Sequence, residues 1–218
     1  MVTPKRPRRL YDVLEPEEVG RLLEAASSTR DRLAILLLYG CGLKTSELCA
    51  LRWSDVDIAG RTVQVRFAGG TREGTCPGVA SARSRKILLP DNAIPLLQAE
   101  SCYRQSDAPV FRGKRNHPVS IRTVERIVRR AATLTGLTKE VCCRTLRRSY
   151  AVQCLRDGMD VENLRNSLGH LHVESTLVYC RYLPPKAGEV KAVGAMRQAP
   201  LSCTAFPPAL STIQCSAP

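Results

Sequence analysis

Apolar residues recur at helical spacing along most of the chain and at strand spacing in one region. Pro16 opens the first helical stretch, where Val19, Leu22, Leu23 and Ala26 form one stripe. Glu17 and Glu18 lie where a helix's first turn favours negative charge, and a proline there gives up no needed donor. From Arg30 to about Cys41 the apolar positions run nearly all round (Leu33, Ala34, Ile35, Leu36, Leu37, Leu38), the pattern of a buried helix, and Gly42 is placed to end it in a left-handed conformation. A short helix from Thr45 or Ser46 through Leu51 is predicted next, with Lys44 at its start, followed by a polar connection containing Trp53, Asp55 and Asp57.

The period then changes to two. Thr62 to Phe67 puts Val63, Val65 and Phe67 on one face and Gln64 and Arg66 on the other; Arg85 to Leu89 makes a second strand, ended by Pro90. Together they predict a hairpin whose long Ala68 to Ser84 connection, rich in Gly and Arg, reads as a functional loop. Helices are predicted again over Asp91 to Ser101 and Ser120 to Thr135, with an extended Pro109-Val110-Phe111 between them. In the second of these, Val124, Ile127, Val128 and Ala131 share a face and Arg122, Arg126, Arg129 and Arg130 cover much of the rest. Three more follow: one carrying Arg144 and ending near Arg156, one capped by Asp160 and stopped by Gly169, and one from about Val173 that carries Tyr179 and ends before Pro184. The order of elements predicts an α+β fold, mainly α-helical, with a small antiparallel sheet at one edge.

Composition narrows the partners. The 218 residues are 44% hydrophobic, enough for a proper core. The longest apolar run, Leu33 to Tyr39, is far short of a membrane span, and no secretory leader is read, so a cytoplasmic protein with no membrane partner is expected. Ten cysteines lack a paired metal-ligand spacing and read as reduced thiols, with Cys41, Cys49 and Cys154 as small core side chains. A formal charge of +13 and a pI near 9.6 are the balance of a protein that meets a polyanion, with nucleic acid the leading candidate and a solvated basic surface the alternative.

The chemistry concentrates between Cys143 and Tyr179. Arg144 stands three residues before Arg147 and four before Arg148, so on a helix the three guanidinium groups share or flank one face. Like charges at that spacing repel, which points to an anion between them, and a planar guanidinium grips phosphate through two parallel hydrogen bonds. Leu-Gly-His at 168 to 170 follows, and Tyr179 comes nine residues after His170.

Four blocks in order resemble the catalytic domain of the tyrosine recombinases, the phage-integrase and Xer-type enzymes. They are Tyr-Gly-Cys-Gly-Leu-Lys-Thr-Ser-Glu-Leu with Leu-Arg-Trp-Ser-Asp-Val-Asp, Arg-Thr-Leu-Arg-Arg-Ser-Tyr-Ala, Leu-Gly-His, and Tyr179. The resemblance covers roughly residues 14 to 183 and favours recombinases over the type IB topoisomerases, which share the chemistry. Clustered charges and prolines mark a basic N-terminal arm over 1–13, the resemblance implies a catalytic domain over 14–195, and the aperiodic, proline-containing stretch over 196–218 is expected to be a disordered tail. The resemblance also implies Tyr179 as a nucleophile that forms a 3′-phosphotyrosyl link to DNA, with Arg147, His170, Arg144 and Lys44 around the phosphate. No cofactor or metal is implied. The expected partners are double-stranded DNA carrying specific recombination sites and further copies of the chain, as a tetramer on that DNA.

Three positions depart from the family pattern. Lys44 stands where the first clamp arginine is usual, keeping the charge but losing the bidentate fork. Arg144 stands where a histidine able to shuttle a proton is usual. A hairpin lysine that serves the family as general acid is expected near Ala68, where the chain has none; Arg72 and Lys86 are the nearest substitutes. These two and Arg148 are the candidate DNA contacts. Two functions therefore stay open: an active site-specific recombinase or integrase, and a catalytically weakened or inactive DNA-binding protein on the same fold.

Overall fold

The computed structural model describes residues 11–66, 84–101, 106–113, 115 and 117–183, and at its centre lies the helix that the sequence marks as apolar all round. Most of the basic arm, Phe67, the connection that contains Arg72, and the tail lie outside the described residues. The helices are α1 (Pro16–Glu24), α2 (Thr29–Gly40), α3 (Thr45–Ala50), α4 (Ala93–Glu100), α5 (Ile121–Thr135), α6 (Cys143–Arg156), α7 (Val161–Leu168) and α8 (Glu174–Leu177). In α2 every residue from Leu33 to Tyr39 is buried, and α1, α3, α4, α5 and α6 all pack against it. Burying each of its large aliphatic side chains stabilises the fold by about 1.5–3 kcal/mol, so this one helix dominates the apolar core. Its first turn is closed by Ser28, whose hydroxyl accepts from the Asp31 N–H at 3.2 Å.

Cys41, Cys49 and Cys154 are buried, as their apolar neighbours predict. On α5 the inward stripe of Val124, Val128 and Ala131 is buried and the four arginines face solvent. Among the described residues no helix is long and apolar enough to cross a membrane.

The expected hairpin is part of a three-stranded antiparallel sheet, β1 (Val56–Asp57), β2 (Thr62–Val65) and β3 (Arg85–Leu88), in that order. The first strand pairs Val56 with Val63 and is too short for alternation to reveal it in the sequence. Across β2 and β3, Val63 faces Ile87, Gln64 faces Lys86 and Val65 faces Arg85. Val63, Val65 and Ile87 are buried, so the strand period of two directs Arg85 to the core side and Lys86 to solvent.

The last predicted helix also differs. Regular α-helix stops at Leu177, and a 3-10 turn over Val178–Tyr182 carries Tyr179. Tightening to bonds three residues apart is a common way for a short helix to satisfy its terminal carbonyls.

The segment before α1 is tied down at several points. The Leu14 N–H donates to the buried Ser149 hydroxyl at 2.8 Å, Lys139 Nζ donates to the Val13 carbonyl at 2.9 Å, and the Tyr11 N–H donates to the Tyr182 hydroxyl at 3.0 Å. These bonds join the start of the domain to α6 and to the turn that bears Tyr179.

Candidate active site

Arg147 sits one turn into α6, on the side packed toward α2, and is only 8% exposed. Its guanidinium donates to the Gly42 carbonyl at 2.5 Å and the Leu168 carbonyl at 2.7 Å, and Nη2 lies 3.2 Å from His170 Nε2. Two helix ends therefore converge on one side chain. Gly42 follows α2 with φ at +57°, and Leu168 ends α7 just before Gly169, whose φ is +64°. A Cβ on Gly169 would also approach Arg85 Nη1 to 2.8 Å, so the position needs glycine for space as well as for conformation.

A buried guanidinium needs a counter-charge. Glu47, on α3 with its side chain 2% exposed, lies 3.9 Å from Arg147 and receives two prongs from Arg85 at 2.9 and 2.7 Å. The Lys44 N–H donates to the same carboxylate at 2.9 Å, and Arg85 Nε reaches the Ser167 carbonyl at 2.7 Å. Burial acts to raise the Glu47 carboxyl, but the Arg85 hydrogen bonds and charge, the Lys44 N–H and Arg147 outweigh it and hold the group below its usual value. Burial pushes Arg147 down, opposed by the Glu47 charge. Lys44 is likewise pushed down by burial; Glu47 opposes the shift and the Arg147 and Arg85 charges add to it. One carboxylate thus serves three cations, and the surplus positive charge makes the site a receptor for an anion.

His170 follows the Gly169 stop. Burial, with the charges of Arg147, Lys44 and Arg85, pushes its imidazole down to about 4, so the ring is neutral at pH 7. A guanidinium has donors only, so Nε2 must be the bare nitrogen beside Arg147, and Nδ1–H donates to the Thr176 hydroxyl at 2.9 Å. The Tyr179 ring stacks beside the imidazole, with ring centres 6.3 Å apart and planes inclined by 25°.

The structure brings Arg147, His170 and Tyr179 together and puts Lys44 at the N-cap of α3, in the same charge cluster. The expectation that all three arginines of α6 converge on one anion does not hold. Successive helical residues point about 100° apart, and Arg148 turns away from Arg147, stacking over the Tyr11 ring at 4.6 Å and donating to the Asp12 carbonyl at 3.0 Å. Arg144 is exposed on the first turn of α6, and Lys86 is exposed on the outer face of β3. Arg72 lies outside the described residues.

Sequence reasoning gave no role to Glu47, Arg85 or Thr176. Arg85 carried a usable signal, because it shares strand parity with the apolar Ile87 and a charge on that face needs a buried partner. Thr176 carried none beyond its place six residues after His170.

The sequence profile of the phage integrase family matches residues 12–184. Tyrosine recombinase XerA of Thermococcus kodakarensis is 34% identical over 180 residues, covering 82% of this chain and 61% of that protein. Tyrosine recombinase XerC of Xanthomonas campestris pv. campestris is 31% identical over 182 residues, covering 81% of this chain and 53% of its own length. The chain therefore spans less than two thirds of either relative. A crystal structure of XerA recombinase superposes with a TM-score of 0.67 at 28% identity, covering 82% of this chain and 61% of that one. XerH site-specific recombinase bound to its difH substrate gives a TM-score of 0.64 at 20% identity over 79% of this chain and 51% of that one, which is a likeness of fold. With the profile running through almost every described element, the chain belongs to the phage integrase family, beside the tyrosine recombinases.

Proposed function

We propose that this chain cuts and rejoins DNA strands at specific sites, as a site-specific recombinase or integrase acting through a 3′-phosphotyrosyl intermediate. The observation that carries this reading is the surplus of cations around Arg147 with the Tyr179 ring stacked on His170 beside it. In the proposed step Tyr179 Oη forms a new bond to phosphorus as the bond from phosphorus to O5′ breaks. The phenolic proton is lost and O5′ gains one, leaving a free 5′-hydroxyl, and a 5′-hydroxyl of a second strand reverses the step. The covalent link conserves the phosphoester bond, so the chemistry needs no external energy source.

Arg147 and Lys44 would neutralise the non-bridging oxygens, and His170 would donate to one of them. Such preorganised donors are worth on the order of 10²–10³ in rate each. Arg144 adds charge but, being permanently protonated, no proton transfer. Lys86 and Arg72 are the candidate substitutes for the hairpin lysine that serves the family as general acid toward the leaving oxygen. The partner is double-stranded DNA with paired recombination sites, on which copies of the chain assemble as a tetramer. A nicked suicide duplex carrying a site from the flanking genome tests the reading: a covalent adduct that disappears in Tyr179→Phe supports it, and no adduct on any such site overturns it.

A second reading is favoured by Lys44 and Arg144, both departures from the family pattern: a DNA-binding protein on this fold with weakened or absent chemistry. Under it, Lys44→Arg with Arg144→His raises adduct formation sharply over the natural chain.

A further inference from the structure

Thr176 is completely buried, and its hydroxyl is bonded to His170 Nδ1 at 2.9 Å. It lies in α8, between the histidine and the turn that carries Tyr179. In the free protein the imidazole holds its single proton on Nδ1, because Nε2 faces the donor-only guanidinium of Arg147 at 3.2 Å. A phosphate needs the opposite arrangement. Its non-bridging oxygens only accept, so a histidine that supports them through Nε2 must carry a proton there.

The ring has two ways to meet that demand. It can take a second proton, against the Arg147, Lys44 and Arg85 charges that face it and with only Glu47 to help. Or it can exchange tautomers, which requires a partner at Nδ1 able to change from acceptor to donor. A carbonyl or carboxylate cannot do so, whereas a hydroxyl does it by rotating about its C–O bond.

We propose that Thr176 is a positioning residue that lets His170 change tautomer when a phosphodiester binds. In the free site the Thr176 hydroxyl accepts from Nδ1–H; with phosphate seated it donates to bare Nδ1, and Nε2–H points to a phosphate oxygen. One proton passes from Nδ1 to solvent and one from solvent to Nε2, so the imidazole stays neutral throughout. The inference rests on the reading of this cluster as a phosphodiester site.

Nitrogen-15 NMR of the full chain labelled at histidine and arginine tests it, with inorganic phosphate as the probe at pH 7. The chain has three histidines, and His170→Gln identifies the signals of this one. The expected result is protonated Nδ1 with bare Nε2 in the free protein, and the reverse pattern in the phosphate complex. Thr176→Ser preserves the exchange. Thr176→Val removes the Nδ1 partner of both tautomers, so the ring loses its anchor and His170 in the phosphate complex shows averaged nitrogen shifts in place of the single Nε2–H pattern. A histidine protonated on both nitrogens in the complex, Nε2–H already present in the free protein, or Thr176→Val behaving as wild type overturns the proposal. If Thr176→Val does not fold, the wild-type and Thr176→Ser titrations decide it by the first two criteria. Arg147 signals that respond to phosphate while His170 keeps Nδ1–H defeat the tautomer exchange and leave the phosphate site standing. No response at either residue overturns the phosphate site and the exchange with it.

Discussion

Arg85 of β3 and Glu47 of α3 form a two-pronged ion pair at 2.9 and 2.7 Å, with side chains only 10% and 2% exposed. The pair joins the sheet to the cluster that holds Arg147. Removing one member of a sealed pair leaves the other charge without its main partner, which typically costs about 3–5 kcal/mol. Arg85→Ala is expected to lose stability of that order in urea unfolding, and Arg85→Lys, which keeps the charge without the fork, to lose less. A wild-type midpoint for Arg85→Ala would show that Glu47 does not depend on the pair.

Acid lability is expected to trace in part to His170. Burial and its cationic neighbours set its folded value at about 4, against about 6.5 in an unfolded chain. Its contribution to stability is complete above pH 6.5. It falls as the pH drops toward 4, because the unfolded state binds the proton first. The loss should be on the order of 2 kcal/mol, less than for a sealed imidazole because the ring is partly exposed. Denaturant titrations at stepped pH should show a shallower acid slope in His170→Gln; an unchanged slope would assign the acid sensitivity elsewhere.

Ser149 carries the attachment of the N-terminal segment to α6. Its hydroxyl accepts from the Leu14 N–H and donates to the Thr145 carbonyl, both at 2.8 Å, and the residue is 1% exposed. Ser149→Ala strands a buried amide, and a loss of about 1–3 kcal/mol is expected. Hydrogen exchange at the Leu14 amide should accelerate in the variant, and unchanged protection there would mean that the amide finds another acceptor.

DNA binding should be strongly salt-dependent, with affinity for duplex falling steeply between about 50 and 200 mM salt as phosphate contacts release counterions. Arg144, exposed beside the site, is expected to be one such contact, so Arg144→Ala should reduce the slope of log affinity against log salt by about one. Arg148→Ala should leave that slope unchanged, since Arg148 is engaged with Tyr11 and Asp12. A flat salt response in the natural chain would rule out phosphate-dominated binding, and equal slopes for the two variants would reject this division of roles.

Local rules were enough for much of this protein. The all-round apolar run of Leu33 to Leu38 has no stable home except a core, and Gly42 and Gly169 adopt the left-handed stops that their positions predict. The family resemblance was likewise legible, because its motif blocks stand in order along the chain, and the candidates Tyr179, Arg147 and His170 were named from those blocks. What the sequence by itself left undecided depends on which faces meet. Spacing placed Arg144, Arg147 and Arg148 on one helix without telling which would be buried, and only the packing of α6 on α2 separates the buried Arg147 from the exposed Arg144 and the tethered Arg148. Glu47, Arg85 and Thr176 come from three distant elements, and no local pattern links them. Tertiary structure decided their roles, because a charge or a hydroxyl shut away from water is tolerable only where another part of the chain brings it a partner.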